Sequence, residues 1–328
     1  MKKLLLLTLI SASAVGIMQS CKKDTASTTE APLTVEAKQR SLLFYATATW
    51  CGPCGATGGP LFKSVIANNS TNDLISLDIH PQTSVGLSYL NATALKENNP
   101  DSVIFAPFAG EIYNQIKPNG YIPLFYCSNS LLGNSGVTAT QVKEFADNYN
   151  RNTAPEIGVA ASASASGNTI NIKYKMKALN PESGAEYFTS VLMIEKSVNA
   201  YQFVSPGTNT SLEHKNIVRA SAKNTTSGNL FGGGRTVVGA PVAFGDAADM
   251  TNPVAQTEIE KSMAFTYSSP SSTFKTAFDN SLKSQSQQPY GFGWWNLSAS
   301  NTAVVVIVWK KLSSTEMFYV NAVMADVK

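Results

Sequence analysis

Hydrophobic and polar positions divide the chain into two regions with different spacing. From 39 to 153, short apolar runs alternate with segments in which apolar residues recur at helical spacing. This alternation predicts an α/β domain, in which helices pack on a sheet. The predicted strands are 42–47, 73–79 and 121–126, and the predicted helices are 61–67 and 138–149, the second with Thr140 as its N-cap.

From 154 to 328 the pattern becomes that of antiparallel strands. Within 169–179, apolar residues such as Ile170 and Ile172 alternate with polar residues such as Lys173, as in a strand with one buried face. Several strands, many turn residues and little helix favour an all-β domain that is sandwich-like and immunoglobulin-like. Further strands are predicted at 187–194, 262–267, 303–309 and 317–324.

The N-terminus is typical of an exported protein. Lys2 and Lys3 precede an apolar stretch, 4–18, which is too short for a comfortable membrane span. The small Ser20 before Cys21 is similar to the cleavage site of bacterial lipoproteins, which predicts a signal peptide over 1–20 and lipid on the Cys21 sulfur. A plain secretory signal cut nearby is the alternative, and either signal takes the chain out of the cytoplasm.

The segment after the signal is polar, and we expect 21–38 to be a disordered tether. Loss of 1–20 removes Lys2 and Lys3 and no acidic residue, so the formal net charge falls from +3 to +1. A charge this small, without a basic cluster, argues against a nucleic-acid surface. The membrane contact we expect is the lipid on Cys21.

Candidate chemistry is concentrated in the segment Trp50–Cys54. A Cys-x-x-Cys motif between a predicted strand and a predicted helix is the layout of a thiol–disulfide redox centre. Cys51 would lie at the helix N-terminus, where free N–H groups stabilise a thiolate, and Cys54 would be the resolving thiol. Gly52 and Pro53 form the spacer, and Pro53 stiffens the loop.

These residues resemble those of thioredoxin, whose Trp-Cys-Gly-Pro-Cys they repeat. A Gly-Pro spacer is typical of reducing members of that superfamily. The resemblance implies a cis peptide bond between Ile122 and Pro123, facing the cysteines and docking an extended peptide substrate. Trp50 would shape the approach to this edge.

Several positions depart from the thioredoxin pattern. Tyr45 stands where thioredoxins have a buried Asp, and Thr57 stands where membrane-tethered reductases of cytochrome maturation have a Glu. The sequence therefore names no carboxylate that would accept the proton of the resolving thiol. Gly55, Gly58 and Gly59 are expected to weaken the helix by roughly 1 kcal/mol each relative to Ala.

A zinc site is the rival interpretation of a Cys-x-x-Cys motif, but it needs two further ligands. The remaining candidates are Cys127, His80 and His214, and no second Cys-x-x-Cys is present. We therefore predict neither a metal nor another cofactor. Cys127 is expected to be a small buried hydrophobic residue, and His80 a strand-end residue rather than a catalytic base.

The chain as a whole resembles the outer membrane protein 28-related lipoproteins of Bacteroidetes. In that family a His-Asn-x-Val-Leu-Arg-like segment recurs in the C-terminal part, and His214, Val218 and Arg219 keep this pattern with Lys215 inserted. The resemblance implies an outer-membrane lipoprotein, exposed on either face of that membrane. It also implies a surface role that is sometimes described as that of an adhesin or receptor.

Two functions follow from these observations. The first is thiol–disulfide exchange with the thiols or disulfides of exported proteins, carried out by Cys51 and Cys54. The second is non-enzymatic binding of a surface ligand by the C-terminal region, with Cys51 and Cys54 held in a structural disulfide.

Overall fold

A computed structural model describes residues 32–69, 73–80, 112–113, 121–134, 136–206, 208–223, 229–231, 235–237, 247–266, 298–311 and 317–328. The predicted signal peptide over 1–20 and the predicted lipidation of Cys21 lie outside these residues. No helix among them is both long enough and apolar enough to cross a membrane.

The first strand of the chain belongs to the largest sheet, and several later strands join the same sheet. In chain order, the strands and helices are β1 (Ser41–Ala46), α1 (Gly59–Asn68), β2 (Leu74–Ile79), β3 (Leu124–Cys127), β4 (Ser130–Gly133), α2 (Ala139–Asn152), β5 (Ile157–Ser166), β6 (Thr169–Ala178), β7 (Glu186–Val204), β8 (Thr208–Ser221), β9 (Asn229–Phe231), β10 (Arg235–Val237), β11 (Met250–Thr251), β12 (Glu258–Thr266), β13 (Thr302–Lys311) and β14 (Met317–Asp326).

The largest sheet is mixed and has nine strands, in the order β14-β13-β7-β8-β2-β1-β3-β4 with β11 beside β7. β1 and β2 are parallel, and β3 is antiparallel to β1. β2 and β8 are also parallel but meet at one residue pair, Asp78 and Ile217. The expectation of a sheet with helices packed on it is confirmed.

Strands from both sides of the predicted boundary at 153/154 therefore share one sheet. Residues Leu33–Lys328 form one compact unit. The C-terminal strands differ from a self-contained all-β sandwich, because β7, β8, β13 and β14 continue the sheet of β1 and β2. The division into separate domains at this position stays a prediction.

Helices α1 and α2 cover one face of the β1–β4 region. Phe62 and Val65 of α1 pack with Val142 of α2 against Leu43 and Phe125 of the sheet. Helix α2 begins with a capping box, in which the Thr138 side chain accepts from the N–H of Gln141. The predicted N-cap at Thr140 was therefore two residues too late, while the two helices themselves are confirmed.

A second sheet, β12-β6-β5, covers part of the large sheet. Its central strand β6 buries Ile170, Ile172, Tyr174 and Met176, as the alternation in the sequence predicted. These side chains share one hydrophobic cluster with residues of β7 and β13, such as Val306. This packing gives the C-terminal region two layers of sheet, each apolar on the side that faces the other.

The end of the predicted tether is part of this body. Lys38 forms an ion pair with Asp73, and its carbonyl oxygen accepts from the Asn321 side chain at 2.9 Å. A Cβ on Gly158 would meet the Val35 side chain at 2.5 Å, so the segment lies close against β5. Residues 33–38, which were predicted to belong to a disordered tether, are therefore part of the compact unit.

Candidate functional site

The two cysteines of the Cys-x-x-Cys motif form a disulfide between β1 and α1. Their sulfur atoms are 2.08 Å apart and their Cα atoms 5.2 Å apart. Cys54 begins a π-helical turn, Cys54–Gly58, which continues directly into α1. The predicted pairing of the cysteines and their position between a strand and a helix are confirmed.

Backbone N–H groups are directed at the first cysteine. The Cys54 N–H lies 3.2 Å from Cys51 Sγ, and the Gly55 N–H donates to the Cys51 carbonyl at 3.2 Å. After reduction, an N–H at this distance stabilises negative charge on Cys51 Sγ. The geometry suits the predicted role of Cys51 as the attacking sulfur, and the role itself stays a prediction.

The segment at the start of β3 lies against the disulfide. The Ile122–Pro123 peptide bond is cis, as predicted. The Ile122 carbonyl oxygen lies 3.9 Å from Cys51 Sγ, which is a contact rather than a hydrogen bond, because a disulfide sulfur carries no hydrogen. The side chains of Ile122 and Trp50 pack around the cluster formed by Ala48 and the two cysteines. The fold thus brings the predicted docking residues to the disulfide.

A feature that the sequence did not reveal is the contact between this loop and the end of β7. The Gln202 side-chain amide lies 3.0 Å from the carbonyl oxygen of Cys51 and 3.2 Å from those of Ala48 and Thr49. The amide has two hydrogens, which are shared among these acceptors. Gln202 is buried, so it holds the loop from the side of the C-terminal half.

Backbone hydrogen bonds extend this contact past Gln202. The Phe203 N–H donates to the Thr49 carbonyl at 2.7 Å, and the Ser205 N–H donates to the Gly52 carbonyl at 3.4 Å. We call residues 202–205 the cover segment. No sequence pattern indicates this segment, because the polar Gln202 resembles any residue near the end of a strand.

The glycines near the motif are explained by this close packing. A Cβ on Gly55 would overlap the Phe203 carbonyl oxygen, and a Cβ on Gly58 would come within 2.6 Å of the Tyr45 hydroxyl. At Gly52, a Cβ would lie 3.0 Å from the Ser205 Cβ. The expectation that these residues only weaken the helix was therefore incomplete, since Gly55 and Gly58 allow neighbouring segments to approach.

The disulfide is almost completely covered. Cys51 has 5 % of its surface exposed and Cys54 has 1 %, while Pro53 of the spacer is exposed and Gly52 is buried. A thiol of another protein therefore reaches Cys51 Sγ only after part of this covering moves. The free cysteine, Cys127 in β3, is fully buried, and burial raises the pKa of its thiol to about 12. Its prediction as a buried hydrophobic residue is confirmed.

A buried polar cluster of Asp78, His80 and His214 lies beside the cleft that Cys54 lines, and Asp78 and His214 also line it. Asp78 near the end of β2 lies between two imidazoles, with His80 Nε2 at 3.3 Å from Oδ1 and His214 Nδ1 at 3.5 Å from Oδ2. All three residues are buried, and the two rings are 5.6 Å apart. The cleft has a volume of about 480 Å³ and is lined by Cys54, Asp78, Gln202 and His214, among others.

The electrostatics of this cluster follow from its burial and its charges. Burial alone would raise the pKa of the Asp78 carboxyl, but His80 and His214 outweigh it and hold that pKa below its usual value. Burial, followed by the charge of Asp78, raises the pKa of the Tyr45 hydroxyl. Tyr45 therefore stays neutral, and its hydroxyl donates to the Cys54 carbonyl at 3.2 Å.

No carboxylate could be named from the sequence as a proton acceptor for the resolving thiol, and Asp78 corrects this expectation. Asp78 occupies the cleft from the strand next to β1, although Tyr45 fills the position where thioredoxins have their Asp. His80 directly follows β2, close to the predicted strand end, and its ring also lies 5.6 Å from that of His214 in β8. The sequence did not reveal the cluster, because its members meet only through the pairing of β2 with β8.

No known protein-family model matches the chain, and no curated protein matches it in sequence. Among solved structures, the chain is similar to HBP35 of Porphyromonas gingivalis, with a TM-score of 0.53 and 12 % sequence identity. The match covers 90 % of this chain and 77 % of that chain. At this level of identity the likeness shows a common fold, and it extends over both halves of the chain.

Proposed function

We propose that the Cys51–Cys54 pair is a thiol–disulfide exchange centre that acts on exported proteins. One observation carries this proposal: the Ile122–Pro123 segment lies against the disulfide, with the Ile122 carbonyl 3.9 Å from Cys51 Sγ. A backbone edge beside a reactive sulfur is what an extended peptide needs in order to present its own cysteine. The N–H of Cys54 that points at Cys51 Sγ adds a donor for the attacking thiolate.

The exchange proceeds in two steps that together move two electrons. The Cys51 thiolate attacks one sulfur of a substrate disulfide, forms a mixed disulfide, and releases the other substrate sulfur as a thiolate. Cys54 then loses its proton into the cleft that it lines and attacks Cys51 Sγ. This step restores the Cys51–Cys54 disulfide and releases the second substrate thiol, so the substrate is reduced and the pair is oxidised.

We further propose the location and partners of this centre. A lipid on Cys21 would anchor the chain to the outer membrane, with the polar residues after it as a tether. The thioredoxin-like region, 39–153, would then meet exported proteins, and the sandwich-like region, 154–328, would support it or bind a partner. The family resemblance of the sequence and the fold shared with a Bacteroidetes protein, HBP35, support this assignment.

Reduction of insulin disulfides by the purified full chain in mild detergent, with dithiothreitol as the electron source, tests the exchange activity. We expect wild type to accelerate the reaction, C51S to be inactive, and C54S to accumulate a mixed disulfide with the substrate. Cys127 lies in the same region but is buried away from substrate, so C127S is the matched control and keeps its activity. Absence of activity in folded wild type would argue against the proposal.

A second function, binding by a protein whose disulfide is structural, is favoured by the burial of the pair. Cys54 is 1 % exposed, and the cover segment holds the loop through Gln202 and two backbone bonds. In this case the disulfide would resist dithiothreitol in the native state and react readily in urea. The rate of reduction in the two conditions, measured by trapping free thiols, separates the two functions.

A further inference from the structure

We propose that Asp78, His80 and His214 form a binding site for a divalent first-row metal ion, with Zn²⁺ as the preferred ion. The site lies at the end of β2, beside the cleft that Cys54, Asp78 and His214 line. It uses neither cysteine, so it does not depend on the exchange activity proposed above.

The separations between the polar atoms match those between ligands of one metal ion. His80 Nε2 and His214 Nδ1 lie 3.3 Å and 3.5 Å from the two Asp78 oxygens. Bonds of about 2.0–2.2 Å to a tetrahedral zinc ion place neighbouring ligand atoms roughly 3.3–3.6 Å apart. A direct N–H···O hydrogen bond is normally shorter, at about 2.7–3.2 Å. The two separations end on different oxygens of Asp78, and both are compatible with ligands that share one ion.

The three residues also form a compact set. One ligand atom from each residue lies within 4.8 Å of the others, and all three residues are buried. Metal binding would require the imidazole rings to turn slightly towards a common ion. Within the described part of the chain, His214 Nε2 is buried and makes no hydrogen bond. A turn of this ring would therefore break no hydrogen bond at Nε2.

The chemistry of the donor set selects the ion. Two imidazole nitrogens and one carboxylate are typical zinc ligands in sites that keep a fourth position for water or substrate. Hard ions such as Mg²⁺ and Ca²⁺ prefer ligand sets in which every ligand atom is an oxygen. Asp78 carries one negative charge, which partly neutralises the ion. Lys215 lines the same cleft, but it is paired with Glu213.

The fourth coordination position of the ion, which no protein ligand fills, would face the cleft. Both Asp78 and His214 line this space, which holds about 480 Å³. Tyr45, a neutral hydroxyl near Asp78, lines it as well. A water molecule or a small anionic ligand in the cleft would therefore complete the coordination.

Titration of the purified full chain, in detergent and with the disulfide intact, tests the site. We use Zn²⁺ in competition with a chromophoric chelator, and Co²⁺ for its visible absorption. We expect one ion per chain and an absorption of the intensity that four-coordinate Co²⁺ shows. H80Q and H214Q should each weaken Zn²⁺ binding by more than the roughly 100-fold that an outer-shell partner contributes. E213Q removes a carboxylate of the same cleft that is not a ligand, and should weaken Zn²⁺ binding only slightly, through the unpaired charge of Lys215.

Two results would overturn the proposal. One is the absence of Zn²⁺ binding in folded wild type, which would make the cluster a hydrogen-bonded His–Asp–His network. The other is binding that persists unchanged in both histidine variants. If these variants fail to fold, the imidazole NMR signals of wild type decide, because the chain contains two histidines and both belong to this cluster. Zn²⁺ should shift both sets of signals, and unchanged signals would refute the site.

Discussion

The side-chain amide of Gln202 donates to the main-chain carbonyl of Cys51 at 3.0 Å, joining residues 151 positions apart in the chain. The same amide approaches the carbonyl of Thr49, to which the Phe203 N–H also donates. A strand from the C-terminal half of the chain therefore forms part of the covering of the disulfide loop.

Q202A should make the disulfide easier to reduce. The change removes hydrogen bonds from buried carbonyls, at a cost of about 1–3 kcal/mol, so the loop opens more often. We expect dithiothreitol to reduce the native protein roughly tenfold faster, since 1.4 kcal/mol corresponds to a factor of 10. Trapping of free thiols over time measures the rate.

The matched control for this change is Q39A. Gln39 is also a buried glutamine, and its amide donates to the Val320 carbonyl at 2.7 Å, away from the disulfide. We expect Q39A to lower the melting temperature but to leave the rate of reduction unchanged. Equal acceleration in both variants would show that reduction follows general unfolding rather than movement of the cover segment.

Alanine at Gly55 and at Gly59 should change stability in opposite directions. At Gly55 a Cβ would overlap the Phe203 carbonyl, and we expect a loss of about 1–3 kcal/mol. At Gly59 the nearest contact is the Cys54 carbonyl oxygen at 3.4 Å, so G59A should gain up to about 1 kcal/mol from its helix propensity. Unfolding in urea with the disulfide intact measures both free energies, and a stabilising G55A would contradict the close packing.

Cys127 should be unreactive in the native protein. Its thiol is fully buried, and burial raises its pKa to about 12, so it is neither exposed nor ionised near neutral pH. We expect iodoacetamide to modify Cys51 after mild reduction but to spare Cys127 until the chain unfolds. Peptide mass spectrometry after alkylation identifies the sites, and early modification of Cys127 would show that β3 opens locally.

Asp249 should make stability depend on pH. Its carboxylate pairs with Lys223 at 2.9 Å and accepts from the Thr189 hydroxyl at 2.7 Å. Burial raises its pKa, but Lys223 foremost, together with Lys261, outweighs burial, so the folded-state pKa lies below its usual value of 3.8. The stabilisation is therefore complete at neutral pH and is lost as the pH falls below about 4.

The test compares the free energies of unfolding of wild type and D249N at pH 7 and near pH 3. We expect D249N to be less stable at pH 7 by about 3–5 kcal/mol, because Lys223 loses a buried partner, and this difference should shrink in acid. D147N, which removes an exposed helical ion pair with Lys143, is the control. Its free energy of unfolding should differ little from that of wild type at either pH. A difference for D249N that does not depend on pH would contradict the assignment.

The parts of the fold that could be predicted are those encoded locally. The alternation in β6 lies within one strand, and the Cys-x-x-Cys motif lies within one turn. Ile122–Pro123 lies far from the motif in the chain, but a known resemblance connected the two. In each case a short pattern carries the necessary information.

The parts that could not be predicted depend on pairing between distant strands. β2 meets β8 at one residue pair, Asp78 and Ile217, and this contact brings His214 to His80. No local periodicity encodes such a register. Gly55 was misjudged for the same reason, since its lack of a Cβ matters only when Phe203 lies against it.

Strand β7 extends over 19 residues, from Glu186 to Val204. Near its start Tyr187 and Phe188 pair with β13 in the core, and near its end Gln202 and Phe203 hold the turn of the disulfide. The structure around the Cys-x-x-Cys motif therefore depends on contacts from β7, far along the chain. A fragment that carried Trp50–Cys54 with only the N-terminal half of the chain would lack the strand that covers the disulfide. The covered disulfide therefore requires both halves of the chain.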